Sequence, residues 1–270
     1  MWCKMKSIRI LLKSTIIYDI YTEWRKLIFY LREQRLNREM FRFYHKFINE
    51  GDVVFDVGAN IGSRTNIFLK LGATVIAVEP QVYCAGILKN KYGNNNKFIL
   101  INKALAEKEG QAEMMISDAC TISSLSKEWV EAVRKSGRFQ GHNWGGDRNI
   151  VQTTTLDKLI DQYGFPSFIK IDVEGFEYEV IKGLSTPVNI LSLEFTPEFI
   201  ESTFNCINYL SKLGRIELNY SLRESMTLSL INWISPQEMI EILSKFRNDD
   251  KLYGDVYIRF IHHRQVLNNY

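Results

Sequence analysis

Two rhythms of apolar and polar positions run along this chain. From residue 51 onward, short runs of β-branched and aromatic residues alternate with stretches whose apolar positions recur at helical spacing. Val53, Val54, Phe55 and Val57 open the series as a buried strand over 53–57. A helix over 63–71, a strand over 74–78, a helix over 81–91 and a strand over 97–101 follow with short turns. Later come strands over 151–154, 168–171, 189–195, 215–220 and 255–261, the last expected at the far side of the sheet. Helices are expected from Thr155, a capping residue, to Tyr163, and over 176–183, 197–212 and 236–247. Strands alternating with helices imply right-handed crossovers and a doubly wound parallel sheet.

Two stretches depart from this rhythm. Residues 5–49 read as one or two helices, with Trp24, Leu27, Ile28 and Leu31 on one face. Residues 106–150 are irregular, with a strand over 112–116 and a short helix over 128–134. They also hold the hydroxyl-rich run Thr121–Leu125 and a polar, glycine-rich segment containing His142, Asn143 and Trp144. Such an insertion on a rigid frame serves as a substrate lid or as a surface loop. The domain division expected is therefore a helical extension over 1–50 and a catalytic domain over 51–270.

Composition adds limits. The net charge of +3 is too small to argue for nucleic acid. Residues 1–50 carry 11 Lys/Arg against 5 Asp/Glu, whereas the remainder is weakly acidic. This basic, aromatic arm suits either packing on the domain or on a second subunit, or peripheral contact with an anionic membrane surface. Its apolar run over 8–21 is too short and too charged to span a bilayer. Cys3, Cys84, Cys120 and Cys206 form no C-x-x-C pair, which points away from zinc and disulfides and toward a cytoplasmic setting.

The candidate chemistry begins where the first strand ends. Asp56-Val57-Gly58-Ala59-Asn60-Ile61-Gly62 is a turn between strand and helix. The dinucleotide fingerprint G-x-G-x-x-G fails here, because Asn60 and Ser63 hold its later glycine positions. No Walker A Gly-Lys-Ser/Thr follows either. A turn flanked by Asp56 and Asn60, with Gly58 and Gly62 freeing the backbone, suits the amino and carboxylate ends of S-adenosylmethionine. Glu79 closes the second strand 21 residues after Gly58, where such domains hold ribose hydroxyls. Asn102 and Ala104, after the third strand, are candidate adenine contacts. A nicotinamide-dependent dehydrogenase and a non-catalytic cofactor-binding module are the readings from other classes.

Asp56–Gly62, Thr155-Leu156-Asp157 and Ile171-Asp172-Val173-Glu174-Gly175-Phe176-Glu177 together resemble the signature blocks of the FkbM family of S-adenosylmethionine-dependent methyltransferases. The resemblance covers about residues 51–200. It implies a class I methyltransferase fold: α/β, Rossmann-like, with a seven-stranded, mostly parallel sheet whose last strand is antiparallel. It also implies O-methylation of a sugar or natural-product hydroxyl. Ser63-Arg64 departs from the pattern, since family members often carry an aromatic there.

Methyl transfer from a sulfonium requires acceptor oxygen, methyl carbon and sulfur in line, so positioning supplies much of the rate. A base for the acceptor proton contributes typically ~10²–10⁴. Asp172 and Glu174 follow a strand expected beside the one carrying Asp56, and are the candidate catalytic acids; helix capping is the structural alternative for Glu174. Glu194, ending the next strand, and the loop residue His142 are candidate acceptor contacts. Asp172 and Glu194 also suggest a variant in which Mg²⁺ activates the acceptor oxygen.

Overall fold

The computed structural model describes residues 16–144, 148–247, 249 and 251–261. The chain divides into two compact units, 1–42 and 43–270. Within the first, the described residues belong to helix α1 (Ile16–Tyr44), which is continuous rather than broken in two. Of the expected apolar face, Trp24, Leu27 and Leu31 are more than half exposed and Ile28 is partly buried; Ile20, Phe29 and Tyr30 are also more than half exposed. Among the described residues no helix is long and apolar enough to cross a membrane.

The second unit starts at Phe43, eight residues before the Gly51 boundary read from the sequence. The reason is aromatic packing. Phe43 meets Tyr257 edge-on, Tyr44 meets Phe68 and Phe168, and Phe47 stacks on both Phe168 and Tyr257. Phe43 and Tyr44 are buried in these contacts, so the chain from Phe43 onward belongs to the second unit.

The sheet is built from β1 (Val53–Val57), β2 (Thr74–Val78), β3 (Phe98–Ile101), β7 (Phe168–Ile171), β8 (Ile190–Phe195), β9 (Ile216–Leu222) and β10 (Gly254–Phe260). Its order is β3-β2-β1-β7-β8-β10-β9. The pairs β3–β2, β2–β1, β1–β7 and β7–β8 are parallel, and β10 runs antiparallel to both β8 and β9. The last strand is therefore inserted one place inside the far edge, which β9 occupies. Helices α2 (Ser63–Lys70), α3 (Val82–Tyr92), α5 (Leu156–Tyr163), α6 (Glu177–Lys182), α7 (Ile200–Leu213) and α8 (Pro236–Ser244) connect the strands. The main core is formed by fully buried strand residues such as Phe55, Ile76, Ile169 and Leu191 against Leu156, Val180 and Ile207 of the helices. Thr155 caps α5 by accepting the Lys158 N–H, as its position predicted.

The irregular insertion folds into a second, three-stranded sheet in the order β4-β6-β5. Its strands are β4 (Ala104–Leu105), β5 (Gly110–Met115) and β6 (Arg148–Thr154). Helix α4 (Lys127–Ser136) lies in the same insertion, capped by the Ser126 hydroxyl. Trp129, Val130 and Val133 of α4 form a separate small core with Ile122 and Trp144. This cap is a built element, with its own interior.

Candidate active site at the carboxyl edge of the sheet

The turn after β1 is shaped by close backbone contacts. Gly58 has φ +80°, and a Cβ there would lie 1.8 Å from the Asp172 carbonyl oxygen. Only glycine allows β1 and the segment after β7 to approach this closely. The Gly58 and Ala59 N–H groups both donate to the Val78 carbonyl, which ties the turn to the end of β2. Asn60, also left-handed at φ +48°, donates its N–H to Glu79 at 2.8 Å. The other Glu79 oxygen accepts the Gln81 N–H at 2.8 Å. Burial nevertheless dominates, and pushes the Glu79 carboxyl up to about 7.

A cleft of about 710 Å³, its open mouth included, lies over this turn. Gly58, Asn60, Glu79 and Gln81 line one end, and Asp172, Val173, Glu174 and Phe176 the other. Leu105, Met114 and Leu125 supply an apolar wall, with Cys120, Thr121 and Ser123 beside it. The second sheet and the Thr121–Leu125 run are thus part of the cleft. None of the described residues lining it is Lys or Arg. A cleft whose described lining carries no cation offers nothing to neutralise a pyrophosphate.

The acid end is held by three unrelated elements. Glu174 has φ +52° and Gly175 φ +87°, so the chain turns sharply after Val173. Glu177 accepts the N–H groups of Val173 and Gly175 at 3.1 and 3.2 Å, and so secures the turn from below. Glu174 makes no such cap, and no side chain caps α6. From the cap, the Ser124 hydroxyl donates to the Glu174 carbonyl at 2.6 Å. A Cβ on Gly175 would overlap Trp129, at 2.2 Å from its ring. Trp129 thus packs directly against the acid turn.

Electrostatics separate the acids. Lys170, buried in β7, places Nζ 2.6 Å from Asp172 Oδ2. Burial opposes charge on Asp172, but the Lys170 ammonium and its hydrogen bond outweigh it and hold the carboxyl below its usual range. Burial, then the charge of Asp172, pushes both Glu174 and Glu194 well up, toward the protonated form. One carboxyl oxygen from each of Asp172, Glu174 and Glu194 lies within 4.8 Å of the others. Neighbouring Asp255, on β10, is raised to about 6, chiefly by burial.

Of the residues expected at the site, Gly58, Asn60, Glu79, Ala104, Asp172 and Glu174 line the cleft. Glu194 stands beside it, lining a small recess with Gly175, Glu177 and Trp129. Three others act from outside. Asp56 is buried beneath the turn and accepts the Thr65 hydroxyl at 2.5 Å. Gly62 caps α2 in a left-handed conformation and accepts the Tyr92 hydroxyl. Asn102 donates its side-chain amide to the carbonyls of Glu79 and Pro80, steadying the end of β2. His142 lies in an exposed loop, with Nδ1 2.9 Å from Asp118. Arg64, the departure after the turn, pairs with Glu224 at 2.5 Å.

Sequence reasoning missed Lys170, Glu177, Gln81 and Trp129. Lys170 had a signal: a lysine at the centre of the apolar strand Phe168-Ile169-Lys170-Ile171 needs a buried partner. Trp129 and Gly175 gave none, since 46 residues separate two groups that pack as one.

The sheet order, the single antiparallel strand and the cleft at the turn after β1 define a class I methyltransferase fold. The sequence profile of the Methyltransferase FkbM domain matches residues 56–224, and the chain belongs to that family. It is 26% identical over 159 residues to the hexuronic acid methyltransferase AglP of Haloferax volcanii, covering 58% of this chain and 60% of that one. It is 32% identical over 56 residues to a chloroplastic ribosomal RNA small subunit methyltransferase of Arabidopsis thaliana, covering 21% of this chain and 16% of that one. The chain thus spans less than two thirds of these relatives. The O-methyltransferase of Bacillus cereus, solved in complex with SAH, aligns over 86% of this chain and 81% of its own at 10% identity, with a TM-score of 0.42.

Proposed function

We propose that this protein transfers the methyl group of S-adenosylmethionine to a hydroxyl of a saccharide or natural-product acceptor. One observation carries the cofactor reading: the cleft over the Gly58 turn is lined by carboxylates and by no described cation. When bound, S-adenosylmethionine supplies an electrophilic methyl on a positively charged sulfonium. Glu79 would accept hydrogen bonds from ribose hydroxyls, the Gly58–Asn60 turn would lie against the methionine end, and Leu105, Met114 and Leu125 would enclose the adenine. Asp172 then serves as the acceptor-side base, because it is the acid held ionised. Glu194, raised toward its protonated form, donates a hydrogen bond beside it. A base placed this way contributes typically ~10²–10⁴ in rate.

The saccharide reading is supported by the similarity to a hexuronic acid methyltransferase over more than half of this chain. The test has two steps. Calorimetric titration with S-adenosylhomocysteine should show binding to the wild type and a loss of roughly 10- to 100-fold in Glu79→Ala, the worth of one charged hydrogen-bonding group. Methyl transfer to glucuronate-containing oligosaccharides, followed by mass spectrometry, should then separate the saccharide reading from a small-metabolite acceptor. No S-adenosylhomocysteine binding by the wild type would overturn the cofactor assignment.

A further inference from the structure

Asp172, Glu174 and Glu194 present one oxygen each within 4.8 Å of one another. By donor type alone, this is a set that a hard divalent cation accepts. The strand beneath them already carries a cation. Lys170 lies in β7, two residues before Asp172, which directly follows the strand. Its ammonium is 2.6 Å from Asp172 Oδ2, and its side chain is 2% exposed.

We propose that Lys170 is a positioning residue whose ammonium is the resident cation of this three-carboxylate cluster, balancing its charge and aiming Asp172 into the cleft in place of a divalent metal. Lys170 is paired in register with Asp56 of β1 on one side and Ser192 of β8 on the other, both buried. The charged and titratable groups around it are Tyr44 from α1, Asp56 from β1, Arg64 from α2, Asp172, Glu174 and Asp255. Arg64, partly buried and paired with Glu224, brings a second positive charge to the region. A divalent ion among the three acids would face two cations embedded in the fold. A buried ammonium without a partner is costly, which equally explains why Asp172 stays where it is.

The charge assignment stands independently of the methyl-transfer reading; only its consequence for the acceptor proton rests on that reading. The test uses the full chain and Mn²⁺ as the probe, followed by electron paramagnetic resonance. The wild type should leave the free Mn²⁺ signal undiminished up to millimolar metal. Lys170→Met should bind one equivalent, and Lys170→Met with Asp172→Asn should lose it again. A lysine with a merely structural role would create no such site on removal. Mn²⁺ binding by the wild type that Asp172→Asn abolishes would overturn the proposal. So would a folded Lys170→Met, shown by circular dichroism, that binds none. Should Lys170→Met not fold, the wild-type and Asp172→Asn titrations decide alone. Absence of S-adenosylhomocysteine binding would sink the methyl-transfer reading and leave this result untouched.

Discussion

The two ends of the cleft are built on different principles. At the β1–β2 end, the groups that shape the site are backbone atoms and side chains at the ends of two adjacent strands. Gly58, Asn60 and Glu79 are organised by hydrogen bonds to Val78, Glu79 and Gln81. At the β7–β8 end, the groups come from distant parts of the chain. Ser124 and Trp129 of the cap, Lys170 below, Glu177 behind and Glu194 from the next strand all converge on Asp172–Gly175. The first end is fixed by local geometry. The second depends on three separate packing arrangements holding at once, so mutations should damage the two ends differently.

The largest effect should come where both ends touch. Gly58→Ala places a Cβ 1.8 Å from the Asp172 carbonyl at a left-handed φ, with no flexible side chain to yield. We expect loss of S-adenosylhomocysteine binding and a collapse of the thermal transition, measured by calorimetry and circular dichroism. Survival of both would mean that the two ends are less tightly joined than this contact implies.

Next, Trp129→Ala removes the cap's central ring, buried against Phe139, Trp144 and the acid turn. Truncating a buried aromatic costs about 3–5 kcal/mol. Urea denaturation should show that loss, with methyl transfer impaired more than cofactor binding. Equal damage to both would contradict the division between the ends.

A smaller effect concerns charge beneath the acid turn. Burial raises Glu177 to about 7 from an unperturbed 4.5. The folded state therefore holds this proton more tightly than the unfolded chain. Its contribution is full below about pH 4.5 and is lost as pH rises through about 7. Glu177→Gln keeps an acceptor for the Val173 and Gly175 N–H groups and removes the charge. It should leave the melting temperature unchanged near pH 4 and raise it at pH 8, by at most about 3 kcal/mol in stability. A variant less stable than wild type at pH 8 would show that the ionised carboxylate is needed.

The smallest effect sharpens the cofactor end. Glu79 titrates at about 7 and would bind ribose hydroxyls as the carboxylate. Cofactor affinity should thus be full above that pH and fall below it, by about tenfold between pH 8 and pH 6. Calorimetry in Glu79→Ala should give a flat profile.

The difference between the ends also explains what could be read in advance. Residues within one turn of a strand end, such as Gly58, Asn60 and Glu79, were legible because their chemistry and spacing are local. Asp56 was legible as part of the motif but not in its orientation, since Thr65 draws its carboxylate beneath the turn. The cap sheet was missed in part because β4 is only two residues long and gains its identity by pairing with residues of β6 that lie 49 positions away. The inserted place of β10 was also not readable, because strand order depends on pairing rather than on pattern.

By itself, then, the sequence determined the alternation of strands and helices, the glycine turn and the acids that end β2, β7 and β8. Periodicity and turn chemistry are properties of neighbouring residues, and they survive in the linear chain. Only the tertiary structure decided which acid stays charged. That outcome depends on burial, on an ammonium brought up under one carboxylate, and on a tryptophan seated against a glycine that no local pattern connects to it.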